Sequence, residues 1–565
     1  MRKGLLIFFC LVFVLLPYIG RAEDICEKRL DHGIKNADIN AYMMITQACE
    51  NRAEAVPILK KALSCSPQLP AVYFGLARAS FSPSVAGLLD SVDYLVQGLT
   101  AYGENFWWTF NLAGSLGMSL MFSLLLAVFI TVIMRGGTDL PLVAHDIREG
   151  NIPAGVLILM ILLSALSPLL FLACMLMLLG LYMKPLDKTV VYGFLLLLVL
   201  SPFFFKAATV FVDAFSSGKV KAVAEVNGSR GNAYALAVLR DGKDYHESFS
   251  YALALKREGQ YDEAIKAYKG IAEERPDAGV FNNLANCYVG LYHFEEARKG
   301  QLDTAIQYYN KALSLSPLAV SYYNLSQVSR ELLDFSKGNE YFQSALARNR
   351  DEVRDLRLIS ARRPNRFVAD KTFPPSELWR YALSKGGKIS TFGASAVSPF
   401  LLSLLGLGLS VSYFLLRGRP AHRAYRCRKC GTILCPECEK RLTWGRLCPR
   451  CYGSIIKLDE LEVKERVARL LAIYERQRRR RAVMKVLSFV LPGAAEIYAG
   501  KILYGFLFLW SFLFFLSIPM ANAVLAPNGV VLRQGFFSWA ALLLAAGVYV
   551  ISNIISRRRI ATGWL

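Results

Sequence analysis

Six apolar runs carry few charges or none: Leu112–Met134, Ile152–Met183, Val190–Val212, Ala394–Leu416, Val486–Met520 and Phe536–Ile555. About 20 consecutive apolar residues in a helix cross the ~30 Å hydrocarbon core of a bilayer. In lipid a helix satisfies its own backbone hydrogen bonds. The expected fold class is all-α, with polytopic transmembrane helices. Hydrophobic residues make up 54% of the 565, more than a water-facing surface can carry.

Ile152–Met183 is the odd run. As one straight helix it would be about 48 Å long, too much for a single pass. Ser167-Pro168 lies at its middle, and the residue before a proline is disfavoured in a helix. The expectation is a tight hairpin of two short spans, one long span being the alternative.

Formal net charge is +22, and it is uneven: Arg417 to Lys485 holds 20 Lys and Arg against 7 Asp and Glu. Cations gather on the cytoplasmic side of membrane proteins, so this segment is expected inside, drawn to anionic lipid rather than to nucleic acid. At the N-terminus Arg2 and Lys3 precede the apolar stretch Leu5–Leu16 and then Gly20-Arg21-Ala22. That is the pattern of a signal peptide over 1–22, with an uncleaved anchor as the alternative. Either way Glu23 onward is expected outside. Splitting Ile152–Met183 gives four spans before residue 213 and puts the region after them outside too. The implied location is a bacterial inner membrane.

An internal repeat occupies that region. Ala264, Tyr268, Ile271 and Pro276 have the same spacing as Ala305, Tyr309, Ala312 and Pro317, and as Ala55, Leu59, Ala62 and Pro67. Small residues let paired helices approach, the large one fills the space between repeats, and proline stops the second helix. Gly259-Gln-Tyr261 and Gly300-Gln-Leu302 supply turns, and Tyr322-Tyr-Asn-Leu325 opens a third unit. The pattern resembles the tetratricopeptide repeat family over about 245–350, more weakly near 53–79. Pro276 to Pro317 spans 41 residues against a period of about 34, which implies a lengthened helix or a long loop. The resemblance implies helical hairpins and a groove for a protein or peptide ligand. Asn283, Asn286, Tyr323 and Asn324, on the first helices, are its candidate contacts.

Six cysteines follow in three C-x-x-C pairs: Cys427 and Cys430, Cys435 and Cys438, Cys448 and Cys451. Each pair presents two thiolates to one metal, and Zn²⁺ takes four in a tetrahedron. Nearby Arg and Lys favour the ionised thiols. The outer pairs have zinc-ribbon spacing, whereas the first two resemble a treble-clef finger. One ion with a spare pair, or two incomplete sites with His422 as a further ligand, both fit. The ion would be structural. The remaining cysteines (10, 26, 49, 65, 174 and 287) are scattered and do not suggest a disulfide framework.

Lys457–Arg481 reads as a basic amphipathic helix, with Val467, Leu470, Leu471 and Tyr474 at helical spacing. Leu491-Pro-Gly493 through Gly500 resembles small bacterial two-helix membrane modules, with Glu496 expected at a solvated membrane edge. The expected order is signal peptide 1–22; an extracytoplasmic helical segment 23–105; membrane helices 106–212; a repeat domain 213–393; and a membrane helix 394–416. A zinc module 417–456, the amphipathic helix 457–485 and membrane helices 486–565 complete it. No P-loop, H-E-x-x-H or G-x-S-x-G motif occurs, so no enzyme is expected. The reading is a membrane scaffold that binds partner proteins; the alternative is a component of envelope transport or assembly.

Overall fold

The computed structural model describes residues 26–562 except 27–28, 31, 151, 217, 229–232, 295–298, 361–366, 386–396, 417–423, 428, 436–447, 450, 452–462 and 526–534. The signal peptide, His422 and Cys438 lie outside the described residues.

In chain order the helices begin with α1 Asp38–Glu50, α2 Ala55–Cys65, α3 Pro70–Ser80, α4 Val85–Glu104 and α5 Phe106–Arg148. Next come α6 Ala154–Leu166, α7 Pro168–Gly180, α8 Thr189–Val199, α9 Ser201–Ser216, α10 Lys219–Gly228 and α11 Ala233–Leu239. The repeats are α12 Tyr245–Arg257, α13 Tyr261–Glu274, α14 Ala278–Phe294, α15 Lys299–Leu315, α16 Ala319–Glu331 and α17 Phe335–Arg348. After them run α18 Arg350–Ser360, α19 Pro375–Ser384 and α20 Pro399–Leu416. Strands β1 Tyr425–Arg426 and β2 Ile433–Leu434 pair antiparallel, and α21 Val463–Val490, α22 Ala494–Ala499, α23 Ile502–Leu525 and α24 Gly535–Ala561 end the chain. The fold is all-α with tetratricopeptide-type hairpins.

Two compact units divide the molecule. The first holds the described residues up to Leu112 together with Val212–Lys385. Its hairpins are built as the repeat spacing requires: Ala264, Tyr268, Ile271, Ala305, Tyr309 and Ala312 are all buried. Gly259 makes the turn into α13 at φ +82°. A Cβ on Gly290 would stand 2.2 Å from the Tyr261 ring, so only glycine permits that helix approach. The long repeat period is explained by α14 and α15, each 17 residues against 13 and 14 in the hairpin before.

The segment before α5 belongs to this same unit. Leu30 joins Ala319, Val320, Tyr323 and Phe367 in one apolar layer. Asn36 Nδ2 donates to the Gly228 carbonyl at 3.1 Å, and Lys256 Nζ to that of His32 at 2.9 Å. One expectation is corrected here: Cys26 and Cys65 are not isolated but form a disulfide, with Cα atoms 5.1 Å apart. Nothing in their sequence spacing pairs them. Helix α2 and the loop before α1 bring them together.

The second unit holds Ala113–Phe211 with the described residues of Gly386–Ala526 and Arg533–Leu565. Among the described residues three helices are long and apolar enough to cross a membrane: Phe106–Arg148, Ile502–Ala523 and Phe537–Ala561. Thr189–Val199 and Ser201–Ala214 make a fourth if their 62° bend lies within one span. The run 152–183 breaks at Ser167, whose hydroxyl accepts the Leu169 N–H at 3.3 Å, and α6 and α7 pack on each other. Each arm is only about 20 Å long. The run 486–520 is not one helix. Pro492-Gly493 ends α21, and Gly493 (φ +78°) and Gly500 (φ +84°) flank the short α22. Glu496 is not solvated as expected: it is fully buried and accepts a hydrogen bond from Ser556 Oγ at 2.7 Å.

Candidate functional site

The first helices of the repeats turn asparagines toward one face. Asn282, Asn283 and Asn286 lie on α14 and Asn324 on α16, all fully buried, with Asn227 on α10 beside them. What buries them is the chain itself. Residues 367–373 (Phe-Val-Ala-Asp-Lys-Thr-Phe) carry no regular element and lie along this face as a strap.

The contacts form a ladder on the strap backbone. Asn324 Nδ2 donates to the Ala369 carbonyl at 2.9 Å, and its Oδ1 accepts the Ala369 N–H at 2.8 Å. Asn283 does the same at Lys371, at 2.9 and 2.7 Å. Asn227 Oδ1 accepts the Phe373 N–H at 3.0 Å. Positions 369, 371 and 373 are alternate residues, whose backbone groups point the same way in extended chain. An asparagine carboxamide offers an acceptor oxygen and N–H donors side by side, and so pairs with both the N–H and the C=O of one strap residue.

The ladder is itself braced. Tyr268 OH stands 3.2 Å from Asn283 Nδ2, and Tyr309 OH donates to Asn286 Oδ1 at 2.5 Å. These are the large residues of the repeat motif, so the same side chains that space the hairpins orient the asparagines. Asn286 Nδ2 reaches both the Ala369 carbonyl (3.0 Å) and Asp370 Oδ1 (2.9 Å). Asp370 also pairs with Lys256 Nζ at 2.9 Å and Arg257 Nε at 3.2 Å, all three side chains nearly inaccessible. Burial alone would raise its pKa. Lys256 and Arg257 outweigh that and hold the carboxyl below its ordinary value. At the strap's ends Phe367 enters the Leu30–Tyr323 layer and Phe373 packs on Phe249, with ring centroids 4.6 Å apart.

Of the four candidate contacts read from the sequence, the structure puts Asn283, Asn286 and Asn324 on the strap. Tyr323 lies instead in the apolar layer, 1% exposed, its hydroxyl 3.5 Å from the Leu356 carbonyl. Asn227, Asn282, Lys256, Arg257 and Asp370 escaped sequence reasoning. The usable signal was an aspartate amid Phe367, Val368, Ala369 and Phe373, a buried-looking pattern without helical period and closed by Pro374-Pro375.

In the second unit Cys427, Cys430, Cys448 and Cys451 converge, their sulfurs all within 4.8 Å of one another. The β1–β2 turn presents the first pair, with Gly431 at φ +73°. The Cys448 N–H points at Cys427 Sγ at 3.3 Å, and the Cys451 N–H at Cys448 Sγ at 3.3 Å. Burial opposes ionisation of Cys427, but backbone N–H donors from Cys448, Cys430 and Lys429 bring its thiol down to about 6. A tetrahedron with metal–sulfur bonds of about 2.3 Å has edges of about 3.8 Å, so four thiolates in this volume can hold one metal ion. Cys435 is buried but outside the group.

Residues 231–329 match the family described as Tetratricopeptide Repeats-Sensor. Comparison with curated proteins finds none that matches the chain. The matched stretch carries Asn282, Asn283, Asn286 and Asn324 and stops short of the strap. The region is therefore a tetratricopeptide-type repeat, the kind of fold that serves protein–protein interaction.

Proposed function

We propose that the protein is a membrane-anchored adaptor whose repeat groove binds extended peptide, and that residues 367–373 are a resident occupant that a partner replaces. The asparagine ladder carries this reading. It grips peptide backbone at alternate residues, a mode in which main-chain bonds give affinity and a few pockets give specificity. The partner segment would then be extended, apolar at the places of Phe367 and Phe373, and acidic at that of Asp370.

The full chain with Phe367→Ser and Phe373→Ser loses both strap anchors. It should bind a labelled peptide of sequence 365–376 in fluorescence anisotropy. The unmodified chain should bind at least about tenfold more weakly, because its competent state is scarce. Adding Asn283→Ala and Asn324→Ala should abolish binding. A loosened chain with unchanged circular dichroism that ignores the peptide overturns the reading.

Redox chemistry supports an orientation. The Cys26–Cys65 bridge belongs in an oxidising compartment, and the four clustered thiols in a reducing one. The segment before α5 and the repeats after α9 form one unit, so an even number of crossings separates them. We therefore place this unit outside a bacterial inner membrane and the cysteine module in the cytoplasm. There, Cys427, Cys430, Cys448 and Cys451 would hold a structural Zn²⁺. The bend between α8 and α9 and the broken α6–α7 pair favour a second reading, in which the membrane bundle acts in envelope transport or assembly. Under it, loss of the ladder would leave function intact.

A further inference from the structure

Within the second unit a cavity of about 1180 Å³ opens between the C-terminal half of α5, the cysteine module, α21 and the turn at Tyr498–Gly500. Its lining is of two kinds. Met134, Leu142, Leu181, Met183, Val483 and Ile502 are apolar. The rest is largely cationic: Arg135 from α5, Lys184 from the loop after α7, and Arg426 and Lys429 from the module. Helix α21 adds Arg476, Arg479, Arg480 and Arg481. Asp139 is the only carboxylate among the described lining residues.

Asp139 is already engaged. It pairs with Arg135 Nη2, and Arg135 Nη1 donates to the Ile497 carbonyl at 3.3 Å. Arg135 is 9% exposed, and its Nε has no hydrogen-bond partner among the described residues. Arg426 donates through Nη2 to the Thr138 carbonyl, and its Nε also has no hydrogen-bond partner among the described residues. Gly431 leaves room for the Arg476 guanidinium, which any Cβ there would strike. Two buried guanidinium N–H groups without acceptors among the described residues, amid like charge, are costly unless an anion completes them. A net-negative four-thiolate metal site would offset only part of that charge.

We infer that this cavity is a binding site for a phosphate-bearing anion. Guanidinium forks suit phosphate oxygens, and cations gathered where the apolar stretch of α5 ends suit an anionic headgroup. The apolar lining residues suit acyl chain. The shared chemistry is the phosphate; a phospholipid and a soluble phosphate are its two sources.

The test uses the full chain in mild detergent, with native mass spectrometry and thermal shift as readouts. The probes are phosphatidylglycerol, zwitterionic phosphatidylcholine and inorganic phosphate. Arg476→Gln with Arg480→Gln changes the rim, and Arg135→Gln the interior. Arg557→Gln with Arg558→Gln removes the same charge from an exposed stretch outside the cavity. Saturable phosphatidylglycerol binding, weakened about tenfold by the rim pair and unchanged by the outside pair, is the expected result. Inorganic phosphate bound in the same rim-dependent way, without retention of phosphatidylglycerol, would support the site and identify a soluble ligand. Equal losses in the rim and outside pairs would reduce the effect to general charge and overturn the proposal. So would the absence of binding by every probe. If Arg135→Gln does not fold, the rim pair alone decides.

Discussion

Asp370 is 4% exposed and stays ionised because Lys256, Arg257 and Asn286 surround it. Removing one partner from a buried ion pair strands the others, at about 3–5 kcal/mol. Asp370→Asn should lower the unfolding free energy of the first unit by roughly that amount in denaturant titration. Asn324→Ala should cost less, about 1–3 kcal/mol for backbone groups left unsatisfied. The pH dependence has a definite sign. The folded carboxyl titrates below its unfolded value, so the unfolded chain binds the proton first. Its stabilisation is complete above about pH 4 and is lost as pH falls through the lower folded value. Asp370→Asn should flatten that acid limb. At the cysteine centre, Cys448→Ser should abolish bound metal measured by elemental analysis, whereas Cys435→Ser should retain one ion per chain. Retention in Cys448→Ser would remove that residue from the ligand set.

Helix elements were legible where the sequence repeats itself. Ala264 and Tyr268 recur as Ala305 and Tyr309, and the same periodicity buries all four. Asn283 and Asn324 stand at equal distances from Pro276 and Pro317, so their shared role could be read from position. The strap could not. An extended segment has no helical period, and Ala369 meets Asn324 across 45 residues and Asp370 meets Lys256 across 114. Such pairings are tertiary facts. The run 486–520 misled for another reason: hydropathy averages over Pro492-Gly493, where the backbone turns. Gly493→Ala should destabilise the second unit. A left-handed φ costs about 1–2 kcal/mol, and the new Cβ would lie 2.0 Å from the Gly505 carbonyl oxygen. Gly117→Ala, in open space on α5, should be neutral or stabilising in the same thermal unfolding assay.

At the scale of the whole molecule, two chemistries coexist in one chain, the Cys26–Cys65 disulfide and four clustered thiols between Cys427 and Cys451. In intact cells a membrane-impermeant maleimide should label neither Cys26 nor Cys65 until an external reductant is added, and should never reach Cys427. Labelling of Cys427 from outside would reverse the proposed orientation. Amide hydrogen exchange at Ala369 and Lys371, in the intact membrane-embedded chain, reports on the strap in its groove. If the asparagine ladder holds the strap, both amides exchange orders of magnitude more slowly than free peptide, and Asn283→Ala with Asn324→Ala releases them while α13 and α15 stay protected. If both amides exchange as fast as an unstructured chain, or stay protected without the asparagines, the ladder does not hold the strap.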